Sequence, residues 1–205
     1  MTMIQIYGSP RTSAGRCYLM LEELGLPYEA KPLDMAAKEH KSEAYRKLNP
    51  NGKVPALIDG DYVIWESLAI NFYLAEKYRP SLLGNGAEEK GLVQQWSVWA
   101  LAELQPPLVD MLIQLVFVPE PKQDMMVVEK ARGRVPGMLE ILDRHLSGRT
   151  YLVEEKLTLA DFNVVSVVNL ADGLKVDLEP FPHVRSWFTD LKSRPSFQRF
   201  VEKRS

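Results

Sequence analysis

Hydroxyl side chains cluster in the stretch GSPRTSAGR, residues 8–16, which joins a strand-like run to a helix-like run. Ser9, Thr12 and Ser13 are residue types that cap helix N-termini, and this stretch taken alone favours capping. The same residues would also suit anion binding. The unpaired amides and positive dipole end of a helix attract an anion, and a free hydroxyl there donates a hydrogen bond to it.

Glu66 and Ser67 form a second candidate site in the sequence WES, at the start of the helix-like run SLAINFYLAEKY. As structural residues, Ser67 would cap the helix and Glu66 would be an exposed charge. As ligand-binding residues, Ser67 would bind a carboxylate through its hydroxyl and N–H, while Glu66 would hold an ammonium group. The pair therefore predicts a site for an α-amino-acid end.

Pro55 stands at the mouth of a predicted β-hairpin whose strand-like runs, 56–58 and 62–65, flank the turn signal Asp59-Gly60. Proline lacks an amide donor and belongs at a first strand position or an edge, and a cis Val54–Pro55 bond would supply the sharp turn. Such a turn leaves the backbone N–H and C=O of Val54 unpaired. Pro55 would thus hold Val54 open for a short extended peptide that pairs as an added strand.

Three basic side chains, His40, Lys41 and Lys53, lie in the sequence EHKSEAYRKLNPNGK. A lone His or Lys on a polar segment is ordinarily solvated surface. Three donors close to one pocket would instead bind a second carboxylate.

The elements that position these residues change character near residue 80. Before it, strand-like and helix-like runs alternate and predict a β-α-β unit followed by a hairpin and a helix. After a linker rich in Pro and Gly, long amphipathic helices follow, and Pro106-Pro107 is expected to kink the first of them. We expect an α/β domain over residues 1–79, a linker over 80–87 and an all-helical domain over 88–205.

Composition excludes several classes of function. The net charge of −2 and the lack of a basic stripe argue against nucleic acid as a partner. The most apolar run, residues 108–118, is too short to span a membrane, and no N-terminal signal pattern is present. With three His and one Cys, a metal site is not expected. The single cysteine, Cys17, fits a reducing compartment, so we expect a cytoplasmic protein.

The motifs together resemble the glutathione transferase family, and the resemblance covers the whole chain. KVPAL, DG and WES stand where the family has its cis-proline loop and glutamyl-binding Glu-Ser pair, and EHKSEAYRKLNPNGKVPAL is most similar to the phi class. The resemblance indicates a phi- or theta-like member of bacterial type. It implies a thioredoxin-like α/β domain followed by an all-helical domain.

The resemblance also implies which residues bind glutathione, the co-substrate. It assigns the glycyl carboxylate to His40, Lys41 and Lys53, the cysteinyl backbone to Val54 beside Pro55, and the γ-glutamyl end to Glu66 and Ser67. In phi and theta enzymes a Ser four residues before an Arg activates the thiol. Arg16 points to Thr12 at that position, with Ser13 beside it. The β-methyl of Thr12 restricts its side chain and could crowd the thiol, so Ser13 is the alternative.

The implied mechanism needs no side-chain base. A thiol like that of glutathione has a pKa of about 8.5. Lowering it by about two units would stabilise the thiolate by roughly 3 kcal/mol. The thiolate would attack a hydrophobic electrophile bound by the helical domain, with parts of residues 94–112 and the neighbourhood of residues 9–12 as the expected lining. For each residue of 94–112 taken singly, the helical spacing favours a place in the core. Cys17 does not match the catalytic cysteine of the beta or omega classes and is expected to be structural.

The run LTLADF predicts a capping box between Thr158 and Asp161, with Leu157 and Phe162 as a hydrophobic staple. The resemblance implies a homodimer. The alternatives are a glutathione-dependent disulfide reductase or peroxidase, an isomerase or dehalogenase of the same superfamily, and a non-catalytic binding module. Competent residues at the thiol-activating and glutamyl-binding positions favour an enzyme.

Overall fold

The structure, a computed structural model, describes residues 3–153 and 155–204 and divides into two compact units. The first unit comprises residues 3–83 together with 192–204, and the second comprises residues 84–191. The sequence placed residues 192–204 in the helical domain. They pack with the first unit instead, because helix α9 buries Phe197 and Phe200 and lies against α1.

A four-stranded sheet with the order β2-β1-β3-β4 forms the centre of the first unit. Its strands are β1 Ile4–Tyr7, β2 Tyr28–Lys31, β3 Ala56–Asp59 and β4 Tyr62–Trp65. β1 and β2 are parallel, whereas β3 is antiparallel to both β1 and β4. Asp59 pairs with Tyr62, so Gly60 and Asp61 form a two-residue hairpin turn in which Gly60 takes a φ of 65°. These strands confirm the predicted α/β architecture.

The helices of the first unit are α1 Gly15–Leu24, α2 Glu43–Arg46, α3 Ser67–Tyr78 and α9 Pro195–Glu202, with short 3₁₀ turns at Glu39–Lys41 and Pro80–Leu83. α1 packs against α3 on one side and α9 on another. It ends at Gly25, whose φ of 64° suits the left-handed cap that closes a helix. Because α1 and α3 are neighbours, the candidate residues at the start of each helix belong to adjacent elements.

Helices α4 Gly86–Trp99, α5 Gln105–Leu112, α6 Met125–Leu146, α7 Leu159–Gly173 and α8 Pro182–Ser193 follow the first 83 residues. Within the second unit α4 packs against α7, and α5 packs against α6. The predicted capping box at the start of α7 is present, formed by Thr158 and Asp161. These helices confirm the all-helical character expected of the second half.

Pro106 and Pro107 do not end the helix, which runs from Gly86 to Phe117. Its backbone hydrogen bonding does change from α to π near these two prolines. A π turn, Ala100–Leu104, comes just before them, and the N–H of Gln105 donates to the carbonyl of Ala100. Two prolines remove two amide donors, and the wider turn accommodates that loss. By length and composition this helix could cross a membrane, a criterion that core helices of soluble proteins also meet.

Candidate functional site

The backbone of the loop between β1 and α1 is fixed at Gly8. Gly8 has a φ of 111°, and a Cβ at this position would lie 2.9 Å from the Cβ of Val54. Only glycine fits this close approach without strain. The hydroxyl of Tyr18 donates to the carbonyl of Gly8 at 2.9 Å. The loop therefore packs directly against the backbone before Pro55.

Thr12 uses its hydroxyl within the loop. Its Oγ1 donates to the carbonyl of Ser9 at 2.7 Å and accepts the N–H of Ala14 at 3.2 Å. Ser13 is exposed, and its hydroxyl has no hydrogen bond within the described residues. Capping, which the sequence favoured for this stretch, is wrong: the cap residue of α1 is Ala14, and no side chain caps the helix. Ser13 therefore carries a hydroxyl that is available to a ligand.

Glu66 and Ser67 occupy the turn from β4 into α3. Glu66 is exposed and takes a φ of 72° and a ψ of 118°, a left-handed conformation that costs a non-glycine residue on the order of 1–3 kcal/mol. Ser67 is the first residue of α3 and its side chain does not cap the helix. The strained turn leaves Glu66 beside a Ser67 hydroxyl that is not used by its own helix.

Arg16, which in the sequence only marks the position of Thr12, contacts this second site. Its Nη1 donates to the Oγ of Ser67 at 2.9 Å, and the two residues are 7% and 5% exposed. Burial lowers the pKa of Arg16 to about 10, so the guanidinium remains charged at neutral pH. Because a guanidinium only donates, the proton of Ser67 is left to donate elsewhere. The buried charge of Arg16 favours a carboxylate as the acceptor.

The Val54–Pro55 peptide bond is cis, as predicted. The residue before it is anchored: the carbonyl of Lys53 accepts from the hydroxyl of Tyr45 at 2.8 Å and from Nδ2 of Asn49 at 2.7 Å. Within the described part of the chain, neither the N–H nor the C=O of Val54 has a hydrogen-bond partner. Val54 thus presents one donor and one acceptor of the kind that an added strand pairs with.

His40 and Lys41 lie close to the same loop. The Nζ of Lys41 donates to the carbonyl of Gly52 at 2.7 Å, and a Cβ on Gly52 would lie 2.9 Å from the carbonyl oxygen of His40. The Nδ1 of His40 is buried without a hydrogen-bond partner among the residues described. Lys53 is exposed next to Gly52. The structure therefore brings His40 and Lys41 to the segment that precedes Val54.

Cys17 is fully buried, and its Sγ donates to the carbonyl of Ser67 at 3.5 Å. Burial raises the pKa of this thiol to about 12, so it is protonated and unreactive at neutral pH. Residues 3–153 and 155–204 contain no group of three His, Cys, Asp or Glu side chains that could hold a metal ion.

Comparison with known proteins gives matches along nearly the whole chain. Residues 2–76 match the model of the glutathione S-transferase N-terminal domain and residues 106–195 match that of its C-terminal domain. Glutathione S-transferase F9 of Arabidopsis thaliana is 34% identical over 99% of this chain and 98% of its own.

Two solved structures are also similar. Glutathione S-transferase-I bound with lactoylglutathione superposes with a TM-score of 0.90 at 34% identity, covering 98% of this chain and all of its own. The theta class enzyme of Xanthomonas axonopodis pv. citri, with glutathione bound, gives a TM-score of 0.91 at 31% identity, covering 98% of each chain.

Proposed function

This chain belongs to the glutathione S-transferase family, and on that premise we propose that the site around Ser13, Val54 and Ser67 binds glutathione and holds its sulfur as a thiolate. The thiol releases its proton to solvent, the thiolate attacks an apolar electrophile and forms a carbon–sulfur bond, and the bond from that carbon to the leaving group breaks, so that the leaving group departs with the electron pair. The observation that carries this proposal is the nearly buried Arg16–Ser67 pair, whose free proton and positive charge suit a carboxylate.

The γ-glutamyl end of glutathione meets Ser67 and Glu66. The hydroxyl of Ser67 donates to the α-carboxylate, and Arg16 behind it supplies the positive charge that compensates for burial. The exposed carboxylate of Glu66 pairs with the α-ammonium group. The strained backbone of Glu66 supports this role, because strained residues concentrate at functional sites.

The middle and the glycyl end of glutathione extend along the loop before Pro55. The cysteinyl N–H and C=O pair with the free C=O and N–H of Val54, as an added strand does. The glycyl carboxylate is bound by His40, Lys41 and Lys53. The unpartnered Nδ1 of His40 and the position of Lys41 beside Gly52 support this assignment.

Ser13 activates the thiol. Its exposed hydroxyl donates to the sulfur and stabilises the thiolate, whereas the hydroxyl of Thr12 is engaged with the carbonyl of Ser9. Thr12 has a structural role in keeping the loop in the shape that presents Ser13.

The test is an ultraviolet difference titration of bound glutathione across pH for the wild type, Ser13→Ala and Thr12→Ser. We expect a thiolate with an apparent pKa below about 7 in the wild type, against about 8.5 for a free thiol. Ser13→Ala should lose it, and Thr12→Ser, which keeps both loop hydrogen bonds, should retain it. A low pKa that survives in Ser13→Ala would contradict the assignment. Absence of glutathione binding in the wild type would overturn the whole site.

The second unit exposes apolar side chains. Val116 and Phe117, near the end of the long helix of the second unit, are 60% and 70% exposed, and apolar surface of this kind within that unit suits binding of an apolar molecule. The protein acts in the cytoplasm as a homodimer. Turnover of an activated aryl chloride, compared with reduction of a disulfide, separates the transferase from the reductase or peroxidase alternative.

A further inference from the structure

Two adjacent carboxylates on α1 hold the C-terminal helix α9. The first, Glu22, accepts from Nε of Arg199 at 2.8 Å and from Nζ of Lys203 at 2.7 Å, and also from the hydroxyl of Tyr28 on β2 at 2.7 Å. Burial alone would raise the pKa of Glu22, but the hydrogen bonds from Lys203, Tyr28 and Arg199 outweigh it, and the net pKa lies below the usual range. Glu22 is therefore an anion at neutral pH.

The second carboxylate, Glu23, repeats this arrangement at the other end of α9. It accepts from Nη2 of Arg194 at 2.9 Å and from the hydroxyl of Ser196 at 2.6 Å, and from Nη1 of Arg79 at 3.1 Å. Its side chain is 7% exposed, so solvent screens these pairs only weakly. α9 is thus fixed at both ends to the helix that follows the thiol-activating loop.

The segment that follows α9 also reaches that loop directly. Nε of Arg11, two residues before Ser13, donates to the carbonyl of Arg204 at 2.7 Å. The ring of Phe200 lies 3.5 Å from the place that a Cβ on Gly15 would take, and the carbonyl oxygen of Pro10 lies 2.4 Å from it. The loop is consequently enclosed between Val54, beside Gly8, and the C-terminal segment.

We propose that α9 is a positioning element for the thiol-activating loop, and that Arg11 is a positioning residue that ties the loop to the carbonyl of Arg204. This inference depends on the proposed role of Ser13. An exposed hydroxyl on a loop stabilises a thiolate only where it is held at the correct distance. Thr12 fixes the loop from within, and Arg11 ties it to the segment that follows α9. The competing explanation is that Arg11 acts directly, as a cation near the sulfur.

The first test compares Arg11→Met and Arg11→Lys with the control Arg134→Met, which changes an exposed arginine on α6. In Arg11→Met we expect the pKa of the bound thiol to rise by about one unit, giving about tenfold less thiolate below that pKa. kcat should fall with it, while KM for glutathione stays within about twofold. Hydrogen exchange at the amides of residues 9–15 should become faster. Arg134→Met should change none of these quantities.

The second test is a double-mutant cycle with Glu22→Gln, which weakens the attachment of α9 without touching the loop. If both residues act through the contact between α9 and the loop, the thiol pKa of the double variant should equal that of the more affected single variant. Additive shifts, or an unchanged thiol pKa in Glu22→Gln together with full activity of Arg11→Lys, would overturn the proposal in favour of a direct charge effect.

The titration of Ser13→Ala distinguishes failure of this inference from failure of the proposed function. If that variant loses the thiolate while Arg11→Met and Glu22→Gln keep it, the role of Ser13 stands and the positioning role of α9 falls. If Ser13→Ala keeps the thiolate, the role of Ser13 falls first.

Discussion

At the scale of single residues, two neighbouring hydroxyls with the same chemistry have different environments. Thr12 is half-buried and bonded to the carbonyl of Ser9, whereas Ser13 is exposed and has no such bond within the described residues. Both can donate to a sulfur. The hydrogen bond to Ser9, and not the residue type, therefore separates a structural hydroxyl from a candidate catalytic one. Arg16 follows the same logic: its role depends on the Oγ of Ser67 lying 2.9 Å away.

The contribution of Arg16 to binding of the glutamyl α-carboxylate can be measured with a glutathione analogue. We expect Arg16→Met to raise KM for glutathione by about tenfold to a hundredfold, since a hydrogen bond to a charged group contributes roughly 1.5–3 kcal/mol. Steady-state kinetics with glutathione and with an analogue lacking the glutamyl α-carboxylate would measure this change. For the analogue, the variant and wild type should have the same KM.

The variant's folding is checked by its unfolding transition, because Arg16 is buried and also accepts a hydrogen bond from Asn71 at its carbonyl. A loss of affinity that is equal for glutathione and the analogue would show that Arg16 supports the fold of the site and does not act on the carboxylate.

At the scale of elements, buried carboxylates hold helices in place in each unit. In the first unit Glu22 and Glu23 bind α9. In the second, Asp161 at the start of α7 accepts the N–H groups of Leu152 and Thr158 at 2.9 Å and Nε1 of Trp187 at 3.1 Å. Asp161 is fully buried, and burial raises its pKa despite these hydrogen bonds. A buried acceptor with several donors makes its helix start sensitive to substitution.

Asp161→Ala should lower the free energy of unfolding by about 3 kcal/mol, because it leaves several buried donors without an acceptor. The matched control is Asp124→Ala at the start of α6, where the cap accepts from Met126 and Val127 at an exposed position. That substitution should cost about 1 kcal/mol. Urea unfolding followed by tryptophan fluorescence measures both. An equal loss of unfolding free energy in the two variants would show that burial does not increase the contribution of Asp161.

At the scale of the whole molecule, the proposed homodimer requires a surface that a second copy of the chain covers. In the first unit, β4 exposes Tyr62, Val63 and Trp65, with Tyr62 packed on Tyr73 at a ring-centroid distance of 4.7 Å. Neighbouring large apolar side chains at a surface are typical of an interface. Val63 and Trp65 alternate along β4 and share one face, opposite to that of Tyr62, so the Val63 and Trp65 face is the part of the first unit that we expect a second copy to cover.

Val63→Asp should shift the protein from dimer to monomer, because it places a charge in the apolar patch on β4. Sedimentation equilibrium over a range of concentrations measures the change. Val201→Asp on α9 is the control, since Val201 has a similar exposure of 42% against 39% for Val63. A wild-type protein that sediments as a monomer would refute the homodimer, and an unchanged dimer in Val63→Asp would place its interface elsewhere.

The sequence by itself determined the class of fold and the positions of the polar loops. Strand-like and helix-like runs predicted the β-α-β unit, the hairpin and the helices, and Pro55, Gly60 and the Thr158–Asp161 spacing marked the cis turn, the hairpin turn and the capping box. These features were accessible because each depends on residues that are close in the chain. The same local signals led to the resemblance to the glutathione transferase family.

The tertiary structure decided how these pieces meet. The contact of Arg16 with Ser67 spans 51 residues and that of Arg11 with Arg204 spans 193, and no local pattern encodes either of them. The same holds for α9, which the sequence grouped with the helical domain and which Glu22 and Glu23 bind to α1. Hydrogen bonds and burial depend on distances in space, whereas a sequence pattern reports only neighbours along the chain. The proposal of Ser13 over Thr12 as the thiol-activating residue likewise depends on the folded loop.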